Sequence, residues 1–356
     1  MDASQPVAPL LAARELARLL AWSLFSASLG LAALELALRS AGLPTGSTRS
    51  VRVAYDLEGE TPGPYKAGAR ARIVWPPETA HDAGFNSLGC RGAEPRESDR
   101  GNILCVGDSM TYGLGVEDSE TWPAQLDRLL AARGVGRGVV NLSSAHLVIE
   151  DELGYLKAAL PVVRPEVVIL LVPATGYIDP IDRLSRTPHE KSRRRERKRR
   201  VWPVSWYHAS AIYEARTLSR LQRKRQALIA SGRFPPSFEA TSQQPPEFVR
   251  RLRPRFLARV TEFKDEVEAS GARFVLAVFP GVSVRGGRAH YEEPPFPAPL
   301  LGTPSVVQVD LTKAFAEDGR VNELLLLPYD LHASPAGNGV IAAAVADALQ
   351  RAGLLR

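Results

Sequence analysis

The sequence predicts an α/β fold: a parallel sheet with helices on both faces, behind one N-terminal transmembrane helix. Three observations predict it. Short apolar runs recur at Ile103–Val106, Val139–Leu142, Val167–Val172, Phe274–Phe279 and Val306–Val309. Among them stand segments of helical length and pattern, Trp122–Arg133, Ile149–Leu160, Arg255–Ser270 and Pro335–Arg351. Ahead of both, Leu19–Leu38 is an almost unbroken apolar stretch, interrupted only by Glu35. Strand, helix and strand repeated at this spacing make parallel neighbours, because parallel pairing needs a long crossover where antiparallel pairing needs only a turn. Crossovers in such sheets are right-handed, which confines the topology to a flavodoxin-like three-layer α/β/α arrangement.

Residues 1–40 read as a membrane anchor. The 20 residues of Leu19–Leu38 make a helix of roughly 30 Å, the hydrocarbon thickness of a bilayer. An uncleaved signal anchor, a cleaved signal peptide and a buried core helix compete for this segment. Ser26-Ala27-Ser28 resembles a small-residue cleavage site but falls in the middle of the apolar run, which favours the anchor. Arg14 and Arg18 precede the span, and Arg39, Arg49 and Arg52 follow it, so charge alone does not orient it.

Residues 41–100 are rich in Pro, Gly and charge, with one strand-like piece at Ala71–Trp75, and read as a linker and N-terminal extension. Residues 101–356 hold the repeating unit. The alternation stops at about 179–254, which reads as an insertion, perched as a cap above the sheet edge. It contains a basic run, then Trp202, Trp206 and Tyr207, a helix over Ala211–Ser231 and a Pro-rich stretch at Phe234–Pro246.

A chain of 356 residues, 45% of them hydrophobic, buries a sizeable core, which excludes disorder throughout. The net charge of +6 is local: Lys191, Arg193, Arg194, Arg195, Arg197, Lys198, Arg199 and Arg200 carry a local +7 around Glu196, leaving the remainder near −1. Such a run is either a solvated loop or a contact for an anionic surface of lipid or acidic polysaccharide. Nothing else in the chain resembles a nucleic-acid module, so no nucleic-acid partner is expected. Cys90 and Cys105 are too few for a disulfide framework, and Cys105 lies inside a strand run, where a buried free thiol is expected. His81, His146, His189, His208 and His290 are scattered without metal-ligand spacing, and no phosphate-cradling or dinucleotide glycine loop follows a strand. No cofactor and no metal are expected.

The stretch Asn102–Leu126 carries the sharpest chemical signal. Its apolar run stops at Gly107-Asp108-Ser109, and the glycine permits the sharp turn that lifts Ser109 to the strand's carboxyl end, where open α/β sheets bind ligands. A serine hydroxyl is a weak nucleophile at neutral pH and needs a base. Asp330-Leu331-His332, just before the last helix, supplies one: His332 takes and returns the proton, and Asp330 holds the imidazole. The plainer alternatives are helix caps, Ser109 at the helix after the first strand, and Asp330 or Ser334 ahead of Pro335.

These segments carry a resemblance. GDSMTYGLGV resembles the first block of the GDSL or SGNH hydrolases, DLHASPAGNGVIA resembles their last, and FNSLGCRG, Phe85–Gly92, is similar to the segment that leads into the serine block of many membrane-anchored members. The family usually spaces its last block Asp-x-x-His, and here it is Asp-x-His. The resemblance implies a serine nucleophile, Ser109, and three oxyanion donors: the Ser109 N–H, a glycine N–H in the second block and an Asn side chain in the third. His146 stands at the usual glycine, in VVNLSSAHLVIEDEL. The third block reads ILLVPATGYIDP without the Asn, leaving the Thr175 hydroxyl or the Gly176 N–H in its place. It also implies a protein of the cytoplasmic membrane, with one span and the catalytic domain on the periplasmic side. The activity implied is that of an esterase or O-acyltransferase on an acylated envelope carbohydrate or lipid. The missing Asn keeps open a non-catalytic relative that binds glycan or lipid in an export or modification assembly.

Overall fold

The computed structural model describes residues 7–41, 56, 59–73, 79–95, 101–145, 147–173, 210–231, 246–292 and 306–355. In chain order the helix α1 (Val7–Ser40) precedes two short strands, β1 (Arg70–Ile73) and β2 (His81–Gly84). The repeating unit follows as β3 (Ile103–Gly107), α2 (Ser109–Tyr112), α3 (Trp122–Ala132), β4 (Val139–Ser143), α4 (Ile149–Val163) and β5 (Val167–Pro173). Then come α5 (Ala211–Ala230), α6 (Pro246–Ala269), β6 (Arg273–Phe279), β7 (Gly281–Arg285), β8 (Arg288–Glu292), β9 (Val307–Asp310), α7 (Thr312–Glu317) and α8 (Pro335–Arg351).

Five strands form one sheet in the order β4-β3-β5-β6-β9, every pair parallel. This is the flavodoxin-like order, with its switch point between β3 and β5, where the chain turns from one side of the first strand to the other. Alternation along β3 divides the core. Leu104 and Val106 face Leu153 and Leu156 of α4 and Phe256, Val260 and Phe263 of α6. Ile103 and Cys105 face Trp122 and Leu126 of α3, Phe315 of α7, and Ile341 and Val345 of α8. A strand buried on both faces must be apolar at every position, which is why β3 and β5 read as continuous hydrophobic runs. Each fully buried Leu, Ile or Val contributes about 1.5–3 kcal/mol against its exposed state.

The ends of the helices follow their sequence signals. Thr121 caps α3, accepting from the Ala124 N–H, and Ser334 caps α8, accepting from the Gly337 N–H at 3.2 Å, with Pro335 entering its first turn. Two elements run further than their patterns suggest. α4 continues through Pro161 to Val163, and α6 begins at Pro246 and carries Pro254 inside it, so it starts within the segment read as an insertion. A proline marks a boundary only when tertiary packing does not hold the helix through it, and the Phe256–Val267 face of α6 is deep in the core.

The β7–β8 hairpin and α7 lie beyond the sequence reading. Gly286 and Gly287 form the hairpin's two-residue loop with φ of 58° and 75°, the conformation a type I′ turn requires. Both cysteines are free and buried, and burial pushes the Cys90 thiol up to about 12 and the Cys105 thiol well above its ordinary range.

Along α1, Ala13–Ser40 is apolar and long enough to cross a membrane, and none of that window is buried in the protein. The basic run Lys191–Arg200, Trp202, Trp206, Tyr207, His189, His208 and the stretch from Phe234 to Pro245 lie outside the described residues.

Candidate active site

Ser109 emerges two residues past the end of β3, at the carboxyl edge of the sheet, where Gly107 lies level with Ser143 of β4 and Leu171 of β5. The turn into α2 is tight. A Cβ on Gly107 would lie 2.2 Å from Thr111 Oγ1 and 2.8 Å from the Leu171 carbonyl oxygen, so only glycine fits beside the Ser109 loop. Asp108, not Ser109, caps α2, its carboxylate accepting from the Met110 N–H at 2.9 Å. That leaves the Ser109 hydroxyl free for another partner, and its N–H, at the first helical position, has no intrahelical acceptor.

The partner comes from the other end of the chain. His332 Nε2 lies 2.8 Å from Ser109 Oγ, and His332 Nδ1 lies 2.5 Å from Asp330 Oδ1. An ionised carboxylate only accepts, so Nδ1 carries the proton and donates to Asp330, and the Nε2 lone pair faces the serine hydroxyl, which donates to it. The one-residue spacing of Asp330 and His332 suffices because the carboxylate folds back across Leu331. The same Oδ1 also accepts the His332 backbone N–H at 3.0 Å. The Leu326 N–H donates to the His332 carbonyl at 2.9 Å and fixes the loop from the other side.

Burial alone pulls the His332 pKa down, but the hydrogen bond and charge of Asp330, joined by the charge of Asp108, outweigh it and the net shift is upward. Burial raises Asp330, yet the His332 ring and backbone contacts more than reverse it, and Asp330 stays below the usual carboxylate range. Burial dominates at Asp108, which is raised. The His332 ring, followed by its NMR titration, is therefore expected to protonate above its ordinary pKa of about 6.5. In Asp330→Asn the carboxylate charge and its charge-assisted hydrogen bond are lost and the burial effect leads, so the titration moves to lower pH. An unmoved titration would separate Asp330 from the ring.

Two residues outside the three hold this geometry. Asn338 of α8 accepts the Trp122 N–H of α3 at 2.9 Å and donates to the Ala333 and Ser334 carbonyls at 2.9 Å, tying the histidine segment to the helix that follows the serine loop. Arg91 is buried under that loop. Its guanidinium donates to the carbonyls of Tyr112 (2.5 Å), Gly113 and Val116 (2.7 Å each) and to Asp118 at 2.8 Å, and it stacks 4.3 Å from the Tyr112 ring centre. Asp118 in turn accepts the Gly84 N–H at 2.8 Å, and Asn141 donates to the Thr111 carbonyl at 3.1 Å. The segment carrying Arg91 is shaped by Gly89, whose φ is +70° and whose Cβ would lie 2.2 Å from the Tyr65 carbonyl oxygen. Beneath it His81 is buried and its pKa falls to about 4, by burial first and the Arg91 charge second, so it is neutral at physiological pH.

The structure thus brings together Ser109, His332 and Asp330. His146, Thr175 and Gly176, the candidates for the rest of an oxyanion hole, lie outside the described residues. Arg91, Asn141 and Asn338 carry no periodic or spacing signal of chemistry; the one hint at Arg91 is its place in FNSLGCRG.

No family model matches the chain, and no curated protein matches it. Among solved structures it is similar to a protein described as lipolytic and of the G-D-S-L family from Desulfitobacterium hafniense DCB-2, at 13% identity over 70% of this chain and 99% of that one, with a TM-score of 0.40. TesA is similar at 14% identity over 70% of this chain and 98% of that one, TM-score 0.38. A lipase/acylhydrolase from Enterococcus faecalis is similar at 16% identity over 70% and 96%, TM-score 0.37.

Proposed function

We propose that the chain is a serine-dependent ester hydrolase or O-acyltransferase, held at the cytoplasmic membrane by α1 with its catalytic domain on the periplasmic side. Its substrates in this reading are acylated envelope carbohydrates or lipids. The observation that carries the proposal is the continuous relay from Ser109 Oγ through His332 to Asp330. His332 removes the hydroxyl proton as Ser109 attacks the ester carbonyl, and the carbonyl electrons move onto oxygen. Collapse of that intermediate expels the alcohol, which takes the proton from His332 and leaves an acyl-serine. Water or a sugar hydroxyl, activated by the same imidazole, then releases the acyl group, and that choice divides hydrolysis from transfer. Negative charge on the former carbonyl oxygen needs donors, of which the Ser109 N–H is one; each donor lost typically lowers kcat by about 10²–10³-fold. The run Lys191–Arg200, by its charge alone, supports a contact with an anionic surface.

Fluorophosphonate labelling of the full chain tests the reading. The wild type is expected to label and to cleave a short acyl ester, and Ser109→Ala to do neither. Equal labelling of both proteins, or of neither, would overturn it.

The absence of an Asn in ILLVPATGYIDP favours a second reading, a catalytically impaired member of the same architecture that binds glycan or lipid. Binding of an acylated glycan by both wild type and Ser109→Ala, with no turnover by either, is the result that reading expects.

A further inference from the structure

We propose that α5 lies on the bilayer surface beside the anchor, where a stripe of its basic side chains, Arg216, Arg220, Arg223 and Lys224, docks on anionic phospholipid headgroups. The proposal rests on the reading of α1 as a membrane span.

Glu35 is the starting point. Its carboxylate accepts the Ser210 hydroxyl at 2.9 Å and the Ala211 and Ile212 N–H groups at 2.8 and 3.0 Å, so an acidic side chain of the anchor caps the first turn of α5. Arg39 closes on the same carboxylate at 2.8 Å. Glu35 stands five residues before Ser40, the end of α1, a rise of roughly 7–8 Å, which places it near the headgroup boundary. The first turn of α5 is held at that depth.

From there α5 does not follow the anchor into the membrane. The described side chains of α1 from Ala13 to Leu34 are all exposed, and contact resumes only at Glu35 and Leu38. Four cations would also be costly in hydrocarbon. Ala211, Glu214 and Leu218 are buried and mark the protein-facing side of α5. At 3.6 residues per turn, Arg216, Arg220, Arg223 and Lys224 fall on the opposite side, and all four are exposed. None makes an ion pair among the described residues. A helix fixed at headgroup depth with a cationic face that makes no ion pair among the described residues is electrostatically complementary to an anionic leaflet and continuous with the anchor beside it.

The full chain, reconstituted in nanodiscs of phosphatidylcholine alone or mixed equally with phosphatidylglycerol, tests this. An environment-sensitive label goes on Ser219→Cys in one sample and on Leu29→Cys in another; the native thiols are buried and unreactive. The Leu29 label, quenched by lipid-borne quenchers in both discs, reports the span by itself. The Ser219 label is expected to be quenched in the anionic discs only, reversed by high salt, and about tenfold less in the Arg216→Glu, Arg220→Glu, Arg223→Glu, Lys224→Glu variant. Circular dichroism identical to wild type serves as the folding control. An unquenched Leu29 label overturns the anchor reading and this proposal with it. A quenched Leu29 label overturns the proposal alone when the Ser219 label is silent, equally quenched in neutral discs, or indifferent to charge reversal. Loss of the signal only on reversing Arg193, Arg194 and Arg195 also overturns it, assigning the contact to the other basic run.

Discussion

Ser109→Ala, His332→Ala and the double variant are each expected to lower kcat on a short acyl ester by about 10⁴–10⁶-fold, with the double variant no slower than the singles. The expectation follows from the relay. Without His332 the serine proton has no acceptor at 2.8 Å, and without Ser109 the imidazole has no nucleophile to activate, so removing the second member takes away nothing further. Residual turnover then measures what the remaining donors and substrate binding supply on their own. Steady-state kinetics on the three purified variants read this directly. Multiplicative losses, with the double variant slower by the product of the singles, would mean that the two residues act independently and that the relay is not the working unit. Unchanged kcat in either single would place the chemistry elsewhere.

Arg91→Met is expected to cost about 3–5 kcal/mol of stability, read as a lower urea midpoint, and to lower kcat in the fraction that stays folded. The substitution roughly keeps the volume but strands the carbonyls of Tyr112, Gly113 and Val116, which are turned inward toward the guanidinium, and leaves Asp118 without its cation. A buried acceptor left without a donor loses its hydration without replacement. Arg91→Lys recovers charge but not shape: one ammonium with three donors does not span a fork that reaches three carbonyls and a carboxylate. Lysine is therefore expected to restore less than half of the lost stability. Full rescue by lysine would show that charge at this position, not the fork, holds the loop.

The architecture was largely legible in the sequence, and the reason is physical. A sheet covered on both faces imposes apolar runs on its strands, and helices packed on one side carry a 3.6-residue stripe, so β3, β4, β5, β6 and β9 and α3, α4 and α8 announce themselves within a residue or three. The serine and histidine blocks were legible because a sharp turn demands Gly107 and because imidazole, which titrates near neutral pH, is the commonest proton partner for a serine hydroxyl. Relations across the fold were not. Arg91 meets carbonyls about 21 to 25 residues away, Asn338 meets Trp122 across 216 residues, and Glu35 reaches Ala211 across 176. Such contacts have no period, and each partner is a backbone group that every residue possesses. The β7–β8 hairpin falls outside the predicted alternation although Gly286-Gly287 between alternating residues is its ordinary signature, and α6 begins at Pro246 rather than Arg255 because core packing carries the helix through Pro254.

The contact between Arg91 and β4 has a second consequence. β4 is an edge strand of the sheet, and the Arg91 N–H donates to the Asn141 carbonyl at 3.1 Å in an antiparallel bridge, laying the N-terminal segment along that edge. An uncovered edge is a template for pairing with another chain, the route by which sheet proteins aggregate before folding is complete. The segment that shapes the Ser109 loop from below therefore also shields the sheet from its copies. A chain cut at residue 101 would lose the shield and the clamp in one stroke.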